Sequence, residues 1–149
     1  MSASISDHWA DHQPKLQRVC EELTSRLRTL CRALEDQNYH FHHRFIESRI
    51  KDVIGVKRSL KVDACEPEEM LRLDDLVGAR IVVPTASDVE LIVSRILETK
   101  ELAWAWKRAD IDDTDTGYRG VHLKGLYPGP DFQVGCEIQV RTILTDAWS

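Results

Sequence analysis

Val134-Gly135-Cys136-Glu137-Ile138-Gln139-Val140-Arg141 alternates without a break. Val134, Cys136, Ile138 and Val140 fall on one side, and Gly135, Glu137, Gln139 and Arg141 on the other. Such alternation is the mark of a β-strand. One face is apolar, while the other offers an acid, an amide and a guanidinium. The strand therefore covers a core on one side and opens to water or a ligand on the other. Just upstream, Val121, Leu123 and Tyr127 alternate with His122 and Lys124, which predicts a second strand with the same asymmetry. Leu102, Trp104 and Trp106 alternate with Ala103 and Ala105, and predict a third. Ala79 to Pro84 is a β-branched run ended by proline and reads as a buried strand, with Arg80 and Val82 on one face.

Helical periodicity fills the remainder. From Pro14 to Asp36, Leu16, Val19, Cys20, Leu23, Leu27, Leu30, Cys31 and Leu34 recur at steps of three and four, with proline suited to the first turn. Val53 to Val62 predicts a short helix. Ser87 with Glu90 predicts a capping box before Val89, Ile92, Val93, Ile96 and Leu97. Tyr39 to Lys51 reads as a loop entering a short strand. Asp110 to Gly117 and Pro128 to Asp131 read as loops. A helix begins near Thr142, and the sequence stops inside it, so the expectation is that the chain continues or that another chain covers this face. Together these elements predict an α+β fold, a mixed sheet of about five strands flanked by helices.

Composition bounds the function. With 149 residues, 42% hydrophobic and 30% charged, the chain suits one globular domain. A net charge of −5 argues against a uniformly basic nucleic-acid-binding surface. No apolar run is long enough to span a membrane and no secretory leader is visible, so the expected location is cytoplasmic. Cys20, Cys31, Cys65 and Cys136 lack metal-site spacing and read as reduced thiols. His40, His42 and His43 lack a spaced partner pair and do not read as a metal site. No glycine-rich phosphate loop of the common nucleotide folds is present.

Four features carry chemistry. Glu137, Gln139 and Arg141 share the open face of one strand, and His122 and Lys124 share one face of its neighbour, so that these charged groups could converge on one surface. Asp74 and Asp75 precede a strand, where a carboxylate can serve as a Mg²⁺ ligand or as a turn cap. Between Ser48 and Lys61 the cations Arg49, Lys51, Lys57, Arg58 and Lys61 face one acid, Asp52, which suits either a solvated helix face or a polyphosphate cradle. Tyr118, beside Gly117, could stack on a base or belong to the core.

The stretches ESRIKDVIGVKRSLK, DDLVGARIVV, TGYRGVHL and CEIQVRTILTDAW stand in an order that resembles the synthetase domain of RelA/SpoT-type enzymes, of the small stand-alone kind. The resemblance covers residues 45–149, a core cut within its C-terminal helix, behind an N-terminal helical segment at 1–44. It implies the nucleotidyltransferase-like fold of that family and an ATP-dependent GTP pyrophosphokinase-type transferase. Such an enzyme moves pyrophosphate from ATP to the 3′-hydroxyl of GDP or GTP and makes the alarmone (p)ppGpp of the stringent response. The alternatives are a toxin-like relative acting on adenosine nucleotides or the tRNA 3′ end, and a silent nucleotide-binding module. By resemblance, Arg49, Lys51, Lys57 and Lys61 bind ATP, Asp75 and Glu137 are catalytic, Asp75 holds Mg²⁺, and Glu137 activates the 3′-hydroxyl or serves as a second Mg²⁺ ligand. Tyr118, His122, Gln139 and Arg141 bind the acceptor. A homo-oligomer is a further expected partner state. Gly55 and Ser59 stand where the family usually has Ser and Lys, and Asp110 to Thr116 is acidic where relatives are often basic.

Overall fold

The computed structural model describes residues 3–37, 41, 45–113 and 118–148, with backbone alone at 45, 113, 118, 147 and 148. The histidines at 40, 42 and 43, and the end of the acidic stretch at 114–117, lie outside the described residues. In chain order the elements are β1 (Ala3–Ser4), α1 (Ile5–Gln37), β2 (Phe45–Ile50), α2 (Val53–Leu60), β3 (Ala64–Cys65), α3 (Pro67–Leu71) and β4 (Val77–Val83). They continue with α4 (Ala86–Glu98), β5 (Lys107–Asp113), β6 (Tyr118–Pro128), β7 (Gln133–Thr142) and α5 (Ile143–Trp148). Five strands form one mixed sheet in the order β2-β4-β7-β6-β5. Only β4 and β7 pair in parallel; the other three pairs are antiparallel.

The strand alternation places the core. Ile81, Ile138, Val140, Val121 and Leu123 are buried together with Leu16, Leu23 and Leu27 of α1 and Ile92 and Ile96 of α4. This is one continuous apolar layer between helices and sheet. Cys31 and Cys136 lie in it, and burial pushes each thiol up to about 12, so both remain unreactive thiols.

Four expectations need correction. Helix α1 begins at Ile5, not Pro14. Ser4 Oγ caps it by accepting from the Asp7 N–H at 3.1 Å, and Pro14 sits inside the helix. The capping box lies two residues earlier than Ser87 and Glu90. Thr85 and Asp88 form it, because Thr85 is the residue in extended conformation before α4. The Leu102–Trp106 alternation is a packed turn and not a strand. Ala105 takes φ 56°, the Trp104 N–H bonds to the Leu102 carbonyl at 2.8 Å, and Trp104 stacks on Trp106 with centroids 5.8 Å apart. Finally, Asp110 to Asp113 belongs to β5. Cross-strand register sets Asp112 opposite Arg119, and their 3.2 Å ion pair lets acidic residues stay in an edge strand.

Candidate active site

The second face of the sheet is built from the residues that alternate away from the core. Register aligns Glu47 with Arg80, Arg80 with Gln139, Gln139 with His122, and Glu137 with both Gly78 and Lys124. Charged groups from β2, β4, β6 and β7 thus share one surface. A cavity of about 290 Å³ opens on it, lined among others by Arg49, Asp75, Arg80, Glu137, Gln139 and Arg141.

A chain of polar contacts orders this floor. Arg80 pairs with Glu47 at one end and with Asp146 of α5 at 3.3 Å. Asp146 also accepts from Arg141 at 3.2 Å. Arg141 donates to the Gln139 carbonyl oxygen, and the Gln139 amide donates to Glu137 Oε1 at 2.7 Å. His122 Nδ1 lies 3.9 Å from Glu137 Oε2. Glu137 and Arg141 are only 9% and 8% exposed, so their charges depend on these partners. Asp146 reaches both arginines because the Thr142 hydroxyl accepts from the Thr145 N–H at 3.2 Å and starts α5 there.

Asp75 enters from the turn before β4. Lys51 Nζ donates to its Oδ2 at 2.8 Å, and the Lys51 N–H donates to the Leu76 carbonyl at 2.8 Å. Lys124 Nζ reaches Asp74 at 3.4 Å. The structure therefore brings Arg49, Lys51, Asp75, Glu137, Gln139, Arg141 and His122 to one region. Lys57 on α2 and Lys61 at its C-cap are not among the cavity's lining residues. Tyr118 opens β6, and its side chain lies outside the described residues. Asp110 and Asp112 pair with Val121 and Arg119, so they alternate to the sheet face opposite His122 and Lys124.

Sequence reasoning passed over Glu47 and Asp146. Glu47 had a readable signal, since it lies two residues before Arg49 in a strand. Asp146 had none, because its arginine partners come from two other elements.

Burial pushes the His122 imidazole below its ordinary range; Glu137 opposes this, while Arg141 and Lys124 add to it. The ring is then neutral at pH 7. The unfolded chain protonates it near pH 6.5. Below that pH the unfolded state binds a proton that the folded state does not, so stability falls as the pH falls. Denaturant melts at pH 7 and pH 5.5 should show this loss reduced in His122→Gln. An equal loss in both proteins would show that His122 titrates normally.

A family model described as the region found in RelA / SpoT proteins matches residues 48–149. The chain belongs to the RelA/SpoT family. Its fold is also that of solved family structures. Small alarmone synthetase 1 from Bacillus subtilis, bound to its product pppGpp, is 23% identical with a TM-score of 0.74, over 95% of this chain and 77% of that one. The same enzyme bound to AMPCPP gives 18% and 0.67, over 95% and 74%. A GTP pyrophosphokinase family protein from Streptococcus pneumoniae gives 21% and 0.73, over 94% and 72%. No curated protein matches the sequence. Among the described residues, no helix is long and apolar enough to cross a membrane.

The donor set can be tested against Mg²⁺, the metal this family generally uses. Among the described residues no group of three or more His, Cys, Asp or Glu gathers as a metal cage. Mg²⁺ does not require one, since it is commonly held by one or two carboxylates with waters and substrate phosphates completing the shell. Asp75 and Glu137, two hard oxygen donors on one cavity, fit that habit.

Proposed function

We propose that this RelA/SpoT family protein is an ATP-dependent pyrophosphokinase whose acceptor is the 3′-hydroxyl of GDP or GTP. The observation that carries the reading is the opening of Asp75, Glu137, Arg49, Arg80 and Arg141 into one cavity. The acceptor oxygen attacks the β-phosphorus of ATP. The bond from that phosphorus to the α,β-bridging oxygen breaks, AMP leaves, and the hydroxyl proton passes to the Glu137 carboxylate. Lys51 holds the donor phosphates with Arg49 near the adenine, and Arg141 and His122 face the acceptor. Gln139, held on both sides, keeps Glu137 and Arg141 in register. Mg²⁺ on Asp75 and Glu137 would neutralise phosphate charge. Such a donor suits the cytoplasmic location expected from the sequence.

Incubation with labelled ATP and separate acceptors tests this reading. GDP or GTP should acquire the label while AMP forms in equal amount. Label on adenosine nucleotides or tRNA alone would overturn the guanosine assignment, and no AMP with any acceptor would overturn the reaction.

Tyr118 is assigned to stacking on the acceptor base, for which the ring suffices. Tyr118→Phe should keep most activity, and Tyr118→Ala should weaken acceptor binding by about 1–3 kcal/mol with ATP binding unchanged. Unaltered acceptor affinity in a destabilised Tyr118→Ala protein would assign the ring to the core instead.

A further inference from the structure

We infer that Trp9 is a positioning residue for the ATP site, acting on Lys51 through its indole N–H. The inference rests on the reading above and extends it to a residue that lies before the family match, which begins at residue 48.

Lys51 is the joint between β2 and α2, and three of its polar groups are held. Its N–H donates to the Leu76 carbonyl at 2.8 Å, and its Nζ to Asp75 at 2.8 Å. Its carbonyl accepts from Trp9 Nε1 at 2.9 Å. The first two contacts tie Lys51 to the turn that carries Asp75. The third comes from α1. A partly buried carbonyl needs such a partner, and losing it loosens the peptide that aims the lysine.

Trp9 can do this because its own place is fixed. The Ile5 N–H donates to the Asp63 carbonyl at 3.1 Å, and His8 Nε2–H to the Cys65 carbonyl at 2.7 Å. Strands β1 and β3 pair Ala3 with Cys65 and Ser4 with Ala64. The start of α1 therefore grips the chain after α2, while Trp9 grips the chain before it. The indole ring packs against the core between these anchors. A side chain held on rigid elements is suited to fixing a neighbouring functional group.

The test titrates a non-hydrolysable ATP analogue with Mg²⁺ into wild type, Trp9→Phe, Lys51→Met and the double variant. Trp9→Phe should bind about fivefold more weakly, the loss typical of one hydrogen bond. The double variant should bind no more weakly than Lys51→Met, because the indole acts through the lysine. A benzothienylalanine in place of Trp9 keeps the bicyclic ring without the N–H, and should reproduce the loss while the protein stays folded, with a melting temperature lowered only by the few degrees that one hydrogen bond is worth. Wild-type affinity in both position-9 proteins would overturn the inference. So would an equal further loss in the Lys51→Met background, which would mean packing alone. If wild type itself binds no analogue, the ATP-site reading fails and takes this inference with it. That result is distinct from wild-type binding that the Trp9 changes leave intact.

Discussion

Glu137→Gln should lower pyrophosphoryl transfer by a factor of about 10²–10⁴ while leaving the protein folded. The side chain keeps its shape, and Gln139 can still donate to the remaining carbonyl oxygen where it now donates to Oε1 at 2.7 Å. What disappears is the charge, and with it the proton acceptor and the Mg²⁺ ligand proposed above. Glu137 is 9% exposed, so the glutamine enters a nearly closed space and should not disturb the core beneath it. Rates should be measured at saturating ATP and acceptor, beside a thermal melt of the same sample. Asp75→Asn should also reduce turnover, because it removes one of the carboxylates of the cavity and the anion facing Lys51. Retention of full activity in Glu137→Gln would show that another group takes the proton.

Gly135→Ala should destabilise the fold by about 3 kcal/mol or more, and lower the melting temperature by about 10 °C. A Cβ at this position would lie 1.8 Å from the Leu73 carbonyl oxygen and 2.6 Å from its carbon. Both atoms are backbone, so no side-chain rotation relieves the clash. The same carbonyl accepts from the Leu76 N–H at 3.2 Å and closes the turn that holds Asp74 and Asp75. Any shift that accommodates the methyl group therefore moves Asp75, and residual folded protein should also lose transfer activity. Gly78→Ala is the control for stability, since its Cβ would meet nothing nearer than the Glu137 carbonyl at 3.8 Å. A melting temperature for Gly135→Ala equal to that of Gly78→Ala would refute the close approach of β7 to the turn.

Periodicity carried the reading of the fold where a single local pattern governed each element. The apolar set at 134–140 reappears as the core face of β7 and the steps of three and four along 16–34 as the buried face of α1, although the opposite face of β7 is covered as well, with Gly135, Glu137 and Arg141 buried. It failed where a neighbour overrode the pattern. Leu102 to Trp106 alternates like a strand, yet the positive φ of Ala105 and the stacking of two tryptophans make a turn. Asp110 to Asp113 has the composition of a loop, yet pairing with β6 and a cross-strand arginine makes it a strand.

Side-chain alternation is a property of a few adjacent residues, so the chain alone specifies that Glu137, Gln139 and Arg141 share a polar face above an apolar one. The order β2-β4-β7-β6-β5 is not local. That order sets Arg80 beside Gln139 and lets α5 bring Asp146 to two arginines at once. The register of β5 on β6 turns Asp110 and Asp112 away from the cavity face, where their charge would repel phosphate. The bond from Trp9 to the Lys51 carbonyl joins residues forty-two positions apart. Such contacts depend on which elements pack together, and hydrophobic burial across the whole chain governs that choice, so no short stretch of sequence encodes them.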